Sequence, residues 1–161
     1  MSSATRSGPH GVVVGMDGSE PSLSALRWGA FIAAATGTAL VVVTVWETTP
    51  AFGLSEGWGI LPADDDPDAV SRAALDAAVA SVFAGPAPVE LDCRVLRGNT
   101  AQVLLEASAG AQMLVVGSRG HGGFASLLLG SVSAACTEHA TCPVLVIHGD
   151  TPPPPLTKAI S

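Results

Sequence analysis

The sequence predicts an α/β fold, an open doubly wound sheet of five parallel strands in the order 3-2-1-4-5 with helices on both faces. Three observations support this prediction. Four short segments are continuously apolar and rich in valine, which is typical of parallel strands buried on both faces. Segments with helical end signals lie between the strands. A fifth segment alternates between apolar and charged residues, which is typical of an edge strand.

The predicted strands follow one another with helices between them, so each crossover is expected to be right-handed. The continuously apolar segments are Val12–Met16, Leu40–Trp46, Met113–Val116 and Val144–Ile147. In Val89–Leu96, apolar residues alternate with glutamate, aspartate and arginine, so one face of this strand is expected to contact water. With this strand at one edge of the sheet, the order 3-2-1-4-5 places the last strand at the other edge.

Each predicted helix begins at a residue that is common at helix N-termini. Pro21 and Pro67 follow in the first turns of the first two helices, where a missing N–H costs no hydrogen bond. Gln102, three residues after Asn99, predicts a capping box. The residues predicted to cap or start the helices are Ser19 or Glu20, Asp66, Asn99, and Ser131 or Ser133.

The 161 residues are enough for one domain, which we place at residues 11–149. Residues 1–10 are predicted to form a flexible N-terminal arm. Residues 150–161 include the proline run Pro152–Pro155 and are predicted to form a disordered or extended tail. The connection Glu47–Asp66, between the second strand and the second helix, is long and contains proline and glycine, and its sequence predicts no role for it.

The charge of the chain excludes some classes of partner. Seven Lys and Arg residues against fourteen Asp and Glu residues give a formal net charge of −7 at pH 7, and the single lysine, Lys158, lies in the tail. Nucleic acids and anionic membranes attract clustered lysine and arginine, so neither is predicted as a partner. Anionic small molecules stay compatible with the sequence, because backbone N–H groups and helix N-termini bind them without lysine.

The sequence also favours a cytoplasmic location. No segment reaches the ~20 apolar residues of a membrane helix, and residues 1–11 lack the apolar region of a secretory signal. The three cysteines, Cys93, Cys136 and Cys142, show no disulfide spacing, so we expect free thiols. Cys136, His139 and Cys142 would alternatively bind a metal, but no fourth ligand is evident, and buried thiols on a helix face are the preferred interpretation.

Two glycine-rich segments are predicted beyond the carboxyl end of the fourth strand. Residues 117–123 contain four glycines, and Gly130 with Ser131 opens the last helix. Glycine lets the backbone approach a ligand closely, and several N–H groups in such a loop form a nest for anionic oxygens. The helix N-terminus at Gly130 adds donors that favour phosphate. The alternative is an ordinary flexible loop followed by a helix cap.

The first strand ends in a turn of small residues that carries one acid, Asp17. In open α/β sheets, ligands bind beyond the carboxyl ends of the strands, where the strand order reverses. For the order 3-2-1-4-5 this point lies between the first and fourth strands, so Asp17 and Gly117 are expected to face each other across one crevice. A turn residue or a helix cap is an equally good interpretation of Asp17.

These segments together resemble the universal stress protein family. Gly117-x2-Gly120-x9-Gly130-Ser131 is similar to the G-x2-G-x9-G-[S/T] motif of the ATP-binding branch of that family. Residues 13–19 resemble the family's opening strand and turn, and residues 142–147 resemble its closing strand. The resemblance covers about residues 11–148. It implies a parallel five-stranded α/β fold with an adenine nucleotide at the point where the strand order reverses.

The resemblance also implies a role for each matching residue. Asp17 would lie beside the nucleoside, and the backbone of Val45 would contact adenine. Gly117, Arg119 and Gly120 would flank the ribose and the first phosphates. Amide and hydroxyl groups at the start of the last helix would hold the distal phosphates, which carry Mg²⁺; the residues concerned are Gly130, Ser131, Val132 and Ser133.

The implied function is a cytoplasmic, ATP-binding regulatory module in the stress response, without a dedicated catalytic apparatus. Hydrolysis requires a positioned water and stabilisation of transition-state charge, and the sequence offers no clear general base. A slow ATPase is the first alternative, with His121 as its only candidate base. A cyclic AMP-binding protein is another, because cyclic AMP would fit the same nucleoside pocket. A pure interaction protein with an empty site is the third.

The last strand predicts self-association. Val144, Leu145, Val146 and Ile147 are all apolar, although the strand order places them at an edge of the sheet. Exposed edges of this composition pair readily unless charge or proline blocks them. A homodimer with two antiparallel last strands about a twofold axis would cover both edges, and the family resemblance implies the same dimer. The alternative is that the proline-rich tail folds back and covers the strand within one chain.

Overall fold

The computed structural model describes residues 11–47, 66–119 and 129–155. The predicted N-terminal arm, most of the 47–66 connection, Gly120 and His121 lie outside these residues. The described elements alternate as the sequence predicts. They are β1 (Val12–Gly15), α1 (Glu20–Thr36), β2 (Leu40–Trp46), α2 (Pro67–Val82), β3 (Leu91–Arg97), α3 (Thr100–Ala107), β4 (Met113–Gly117), α4 (Ser131–His139) and β5 (Val144–Ile147).

All five strands form one parallel sheet in the order β3-β2-β1-β4-β5, which confirms the predicted fold class and strand order. β1 is central. Val14 lies opposite Val42 of β2 on one side and Val115 of β4 on the other. The carboxyl ends of β1 and β4 are therefore neighbours, and the chain leaves them in different directions, into α1 and toward α4.

The sheet has a hydrophobic core on each face. Val12 and Val14 of β1 pack with α1 and α2, whereas Val13 between them packs with α3 and α4. All three valines are fully buried. Fully burying a side chain of this size contributes roughly 1.5–3 kcal/mol, so the valine-rich composition of the central strands is what holds the two helical layers on the sheet.

Two glycines allow α1 to approach the sheet closely. A Cβ atom at Gly29 would lie 2.3 Å from Cγ2 of Val14 and 3.2 Å from Cδ1 of Leu40. A Cβ atom at Gly117 of β4 would lie 2.6 Å from Cβ of Pro21 in the first turn of α1. Real Cβ atoms do not approach other heavy atoms so closely, so α1 lies nearer to the sheet at both points than any side chain there would permit.

The helix starts largely follow the sequence prediction. The side chains of Ser19, Asp66 and Asn99 cap α1, α2 and α3. The predicted capping box at α3 forms only in part. Asn99 accepts a hydrogen bond from the Gln102 N–H at 3.0 Å, but the Gln102 side chain donates to Glu106 at 3.2 Å. This bond lies between residues four apart on α3 and directs the Gln102 side chain along the helix.

β3 differs from its predicted bounds by a small shift. It begins at Leu91, opposite the first residue of β2, and ends at Arg97, whereas the alternating pattern predicted Val89–Leu96. The ladder therefore starts where β2 starts, and Val89 precedes it. Asp92 and Arg94 form an exposed ion pair at 2.6 Å on the open side of this edge strand, as the alternation predicts.

Candidate functional site

The carboxyl edge of the sheet is held together by polar contacts beyond the ladders. The Met16 N–H donates to the carbonyl of Val43 at 2.9 Å, so the backbone of β1 stays beside β2 after the strand ends. The hydroxyl of Thr44, which is fully buried, donates to the Met16 carbonyl at 3.0 Å. These bonds fix the position from which Asp17 leaves the sheet.

Asp17 lies in the tight turn between β1 and α1 and is half-buried. Its Oδ1 accepts a hydrogen bond from the Ser19 N–H at 2.9 Å and another from the Ser19 hydroxyl. Ser19 in turn caps α1 through the N–H of Ser22. At least one carboxylate oxygen of Asp17 is thus committed to the turn, which is a role that aspartate commonly has.

Gly117 contacts the first turn of α1. Besides the contact with Cβ, a Cβ at position 117 would lie 2.8 Å from the carbonyl carbon of Pro21, which is backbone and cannot rotate away. The sequence motif attributes the glycine at position 117 to the close approach of a ligand. The structure shows in addition that α1 lies too close to this position for any side chain. Gly117 thus packs against Pro21, and this contact between residues far apart in sequence was not indicated by the motif.

Ser118 connects the end of β4 to the start of α4. Its carbonyl accepts hydrogen bonds from the Gly130 N–H at 2.7 Å and from the Ser133 hydroxyl at 2.9 Å, and its own N–H donates to Ile147 at 2.9 Å. Ser118 and Ser133 are 7% and 3% exposed, so the Ser133 hydroxyl points inward at this carbonyl. Ser118 was not among the predicted site residues, because nothing in its own neighbourhood in the sequence signals these partners.

The start of α4 differs from the starts of the other three described helices. Its N-cap is Gly130, with φ −71° and ψ 166°, and no side chain caps it. The first-turn N–H groups of any α-helix lack partners within the helix, and the helix dipole favours an anion beside them. Ser131 is exposed, and Val132 is half-buried against the core shared with α3. The structure thus brings Gly130 and Ser131 beside the end of β4, next to Ser118.

Val45 and Arg119 lie at the same edge of the sheet. Val45 forms the second-to-last pair of the β2–β3 ladder, opposite Leu96, and is half-buried. Arg119 is half-buried and directly follows Ser118. Asp17, Val45, Gly117 and Arg119 are thus all placed near the carboxyl ends of neighbouring strands, as the predicted strand order requires.

The carboxylate of the exposed residue Glu47 lies at the start of α3. Oε1 of Glu47 accepts hydrogen bonds from the N–H of Thr100 at 2.7 Å and from its hydroxyl at 3.1 Å. The preceding Trp46 donates its indole N–H to Asp68, and the guanidinium of Arg97 lies 5.3 Å from the centre of its ring. Both ends of the 47–66 connection are therefore anchored at the carboxyl edge, by contacts across 53 and 22 residues that the sequence did not reveal.

The titratable groups of the described residues do not suggest a metal site. Within residues 11–47, 66–119 and 129–155, no three His, Cys, Asp or Glu side chains lie close enough together to hold a metal ion, and this includes Cys136, His139 and Cys142. Cys136 is fully buried on α4. Burial, and then the neighbouring Cys142, raise the pKa of the Cys136 thiol to about 11. Such a thiol stays protonated and is a poor ligand and nucleophile at neutral pH.

The same described ranges contain no helix that is long and apolar enough to cross a membrane.

The three cysteines of these ranges are free thiols: Cys93 and Cys142 are half-buried and Cys136 is buried. The prediction of free thiols is therefore confirmed.

The family model of the universal stress proteins matches residues 10–148. Universal stress protein Rv2005c of Mycobacterium tuberculosis is 37% identical over 145 residues, covering 88% of this chain and 48% of its own length. Rv2624c of the same organism is 34% identical over 140 residues, covering 85% and 47%. The chain thus spans about half the length of the curated relatives it matches.

Solved structures show the same architecture. A universal stress protein in complex with cAMP matches with a TM-score of 0.63 and 30% identity, over 88% of this chain and 98% of that one. The protein UspA from Lactobacillus plantarum matches with a TM-score of 0.61 at 20% identity, over 86% and 98%, which supports the fold alone. From the match of the family model across nearly all of the described domain, we conclude that the chain belongs to the universal stress protein family.

Proposed function

We propose that this protein binds an adenine nucleotide beyond the carboxyl ends of β1 and β4, as ATP with Mg²⁺ on its phosphates, and acts as a cytoplasmic regulatory module in the stress response. One observation carries the proposal. The start of α4 has no side-chain cap and lies beside the end of β4, where the glycine motif of the ATP-binding branch begins. The other three described helix starts have a side-chain oxygen at this position.

The contacts refine the role of each residue in this proposal. Asp17 and the backbone of Val45 would contact the nucleoside, and Gly117, Arg119 and Gly120 would flank the ribose and the first phosphates. Ser133 would contribute its backbone N–H alone, because its hydroxyl already donates to Ser118. The distal phosphates would be held by the N–H groups of Ser131, Val132 and Ser133 and by the exposed hydroxyl of Ser131. The N–H of Gly130 already donates to Ser118, so Gly130 would contribute the space that its missing side chain leaves.

Cyclic AMP is the second candidate ligand. A universal stress protein with 30% identity to this chain was crystallised with cAMP. Cyclic AMP carries one phosphate and would use the nucleoside end of the site, whereas ATP would also reach the start of α4. The two ligands are therefore distinguished by how strongly their binding depends on position 130.

Binding is tested first by thermal unfolding with Mg-ATP and with cyclic AMP. A ligand that binds only the folded protein stabilises it by about 2.7 kcal/mol at one hundred times its dissociation constant. Mass spectrometry of nucleotide released from denatured protein identifies what is bound after purification. Unchanged melting temperatures at millimolar concentrations of both ligands would contradict the proposal.

Gly130→Val tests where the phosphates lie. The backbone at position 130 has negative φ and extended ψ, which valine adopts readily, so the substitution fills space without forcing a new conformation. We expect loss of ATP binding with an unchanged circular dichroism spectrum, and a smaller loss for Asp17→Ala, because the carboxylate is one contact among several. Thr137→Val, a change of similar shape at the far end of α4, serves as the control and should bind ATP normally. Equal affinity of all four proteins would refute the placement.

The proposal includes a homodimer. β5 forms one edge of the sheet, and Val144, Leu145 and Val146 are only half-buried in a single chain. A second copy that pairs with β5 would cover these side chains and the unpaired backbone groups of the edge. The support is the apolar composition of this edge.

A further inference from the structure

An aromatic pair on α1 lies near the segment that follows β5. The rings of Trp28 and Phe31 are edge-to-face, with centres 6.0 Å apart and planes at 81°. Both side chains are half-buried, and Trp28 packs at the margin of the core that Leu145 of β5 also joins. Aromatic pairs of this geometry are stable, rigid surfaces with one polar atom, the indole N–H of tryptophan.

The segment after β5 returns to Trp28. Gly149 has φ +69°, a left-handed conformation that lets the chain turn after Ile147. The carbonyl of Thr151 then accepts a hydrogen bond of 2.9 Å from the indole N–H of Trp28, across 123 residues. The prolines follow at once, and Pro153 is half-buried whereas Pro152, Pro154 and Pro155 are exposed.

The chemistry of the two partners is complementary. Consecutive prolines favour the polyproline II helix, have no N–H to donate, and leave their carbonyls as the only polar groups. The indole N–H is a donor only. Aromatic surfaces that offer a donor to a carbonyl of a pre-formed polyproline helix are a general mode of peptide recognition, and little entropy is lost because the ligand is already stiff.

We propose that Trp28 and Phe31 form a docking surface for proline-rich segments, and that residues 151–155 of the chain itself occupy it. The segment is tethered to β5 by a few residues, so its effective concentration at the surface is high, in the millimolar range for short flexible linkers. A proline-rich segment of another protein would therefore have to displace the chain's own segment. This inference is independent of nucleotide binding.

Hydrogen exchange of the tryptophan side chains tests the docking in the full-length chain. In ¹H–¹⁵N spectra, the indole N–H of Trp28 is assigned by its loss in Trp28→Phe. Replacement of Pro152–Pro155 by serine should make this N–H exchange at least about tenfold faster, because a flexible segment docks less often. The indole of Trp46, which donates to Asp68, is the internal control and should not change. Equally fast exchange of Trp28 in both chains would overturn the proposal.

A peptide added in trans tests whether the surface recognises proline-rich sequence as such. The probe is a synthetic peptide with the sequence of residues 149–157, and the matched control peptide has alanine at its four proline positions. The probe should shift the Trp28 indole resonance of the serine-substituted chain saturably, and should bind the unmodified chain at least about tenfold more weakly, because the chain's own segment competes. No shift at millimolar probe, or an equal shift with the alanine peptide, would show that the surface does not recognise proline.

Discussion

Gly117 and Gly15 offer a matched test of packing at the scale of single residues. Both end neighbouring parallel strands, and neither needs a left-handed backbone. Alanine at 117 would meet Cβ and backbone atoms of Pro21, whereas alanine at 15 would meet the methyl end of Leu104 at 2.9 Å. Since the leucine can rotate and the helix backbone cannot, we expect Gly117→Ala to lower the free energy of unfolding by about 1–3 kcal/mol and Gly15→Ala to lower it less.

Urea unfolding of the two variants and the unmodified chain measures the difference. Equal decreases in the free energy of unfolding would mean that the first turn of α1 moves aside as easily as the Leu104 side chain. The result also affects the ligand experiments: a Gly117 variant that no longer binds nucleotide is informative only if it is still fully folded at the assay temperature. Gly130→Val is the cleaner probe of the site for this reason.

At this scale the sequence predicted which residues lie at the carboxyl edge of the sheet better than it predicted the hydrogen bonds of their side chains. Asp17 and Gly117 lie at the predicted edge because strand order and register follow from hydrophobic pattern. The commitment of Asp17 Oδ1 to Ser19, and of the Ser133 hydroxyl to Ser118, could not be read from a motif. Those bonds depend on side-chain orientation and on how α4 meets β4, which a spacing of glycines does not encode.

Among the elements, β5 supports the most direct prediction. Val146→Lys would bury facing charges near the proposed twofold axis, so we expect a monomer or an aggregate in place of the dimer. Val146 is half-buried in one chain, so in a monomer a lysine at this position can extend its charged end into water. Light scattering with size-exclusion chromatography at micromolar concentration measures the mass. An intact monomer of the unmodified protein would disprove the dimer.

Deletion of residues 151–161 separates the two ways of covering this edge. If two β5 strands pair, the shortened chain keeps its two-chain mass. If the tail alone covers the edge, the shortened chain changes its state of association. The contact of Thr151 with Trp28 places the start of the tail on α1, on the face of the sheet, and this is compatible with a partner strand beside β5.

The elements themselves were predicted closely where local chemistry decides them. The caps at Ser19, Asp66 and Asn99 are local signals, and the structure confirms each of them. The start of α4 was predicted only to within Ser131 or Ser133, because its cap is a glycine with no side-chain signal. The start of β3 depends on where β2 begins to pair with it, which is information about another strand.

The whole molecule should lose stability at alkaline pH. The pKa of Cys136 is about 11 in the folded chain, against an ordinary value of 9.0, and burial, followed by the Asp76 carboxylate, also raises the pKa of Cys93. Between about pH 9 and 11 the unfolded chain releases thiol protons that the folded chain keeps, so the free energy of unfolding falls as pH rises. Below pH 9 this contribution is fully present.

Chemical denaturation at several pH values between 8 and 11 measures this dependence. The chain has no tyrosine and one lysine, so few other side chains titrate in this range. Cys136→Ala should make the decline shallower, and the residual slope should decrease again when Cys93→Ala is added. A slope that is the same in all three proteins would show that the thiols are not its cause.

The two close contacts of α1 with the sheet have a consequence for the lengths that related chains can tolerate. Pro21 against Gly117 and Gly29 against Val14 fix the helix at two points, eight residues apart along its axis. One inserted or deleted residue between them would rotate everything beyond it by about 100°, turn Gly29 away from Val14 and bring a side chain into a space that holds none. We therefore expect insertions and deletions between positions 21 and 29 to be disfavoured, and aligned relatives should show no gap there.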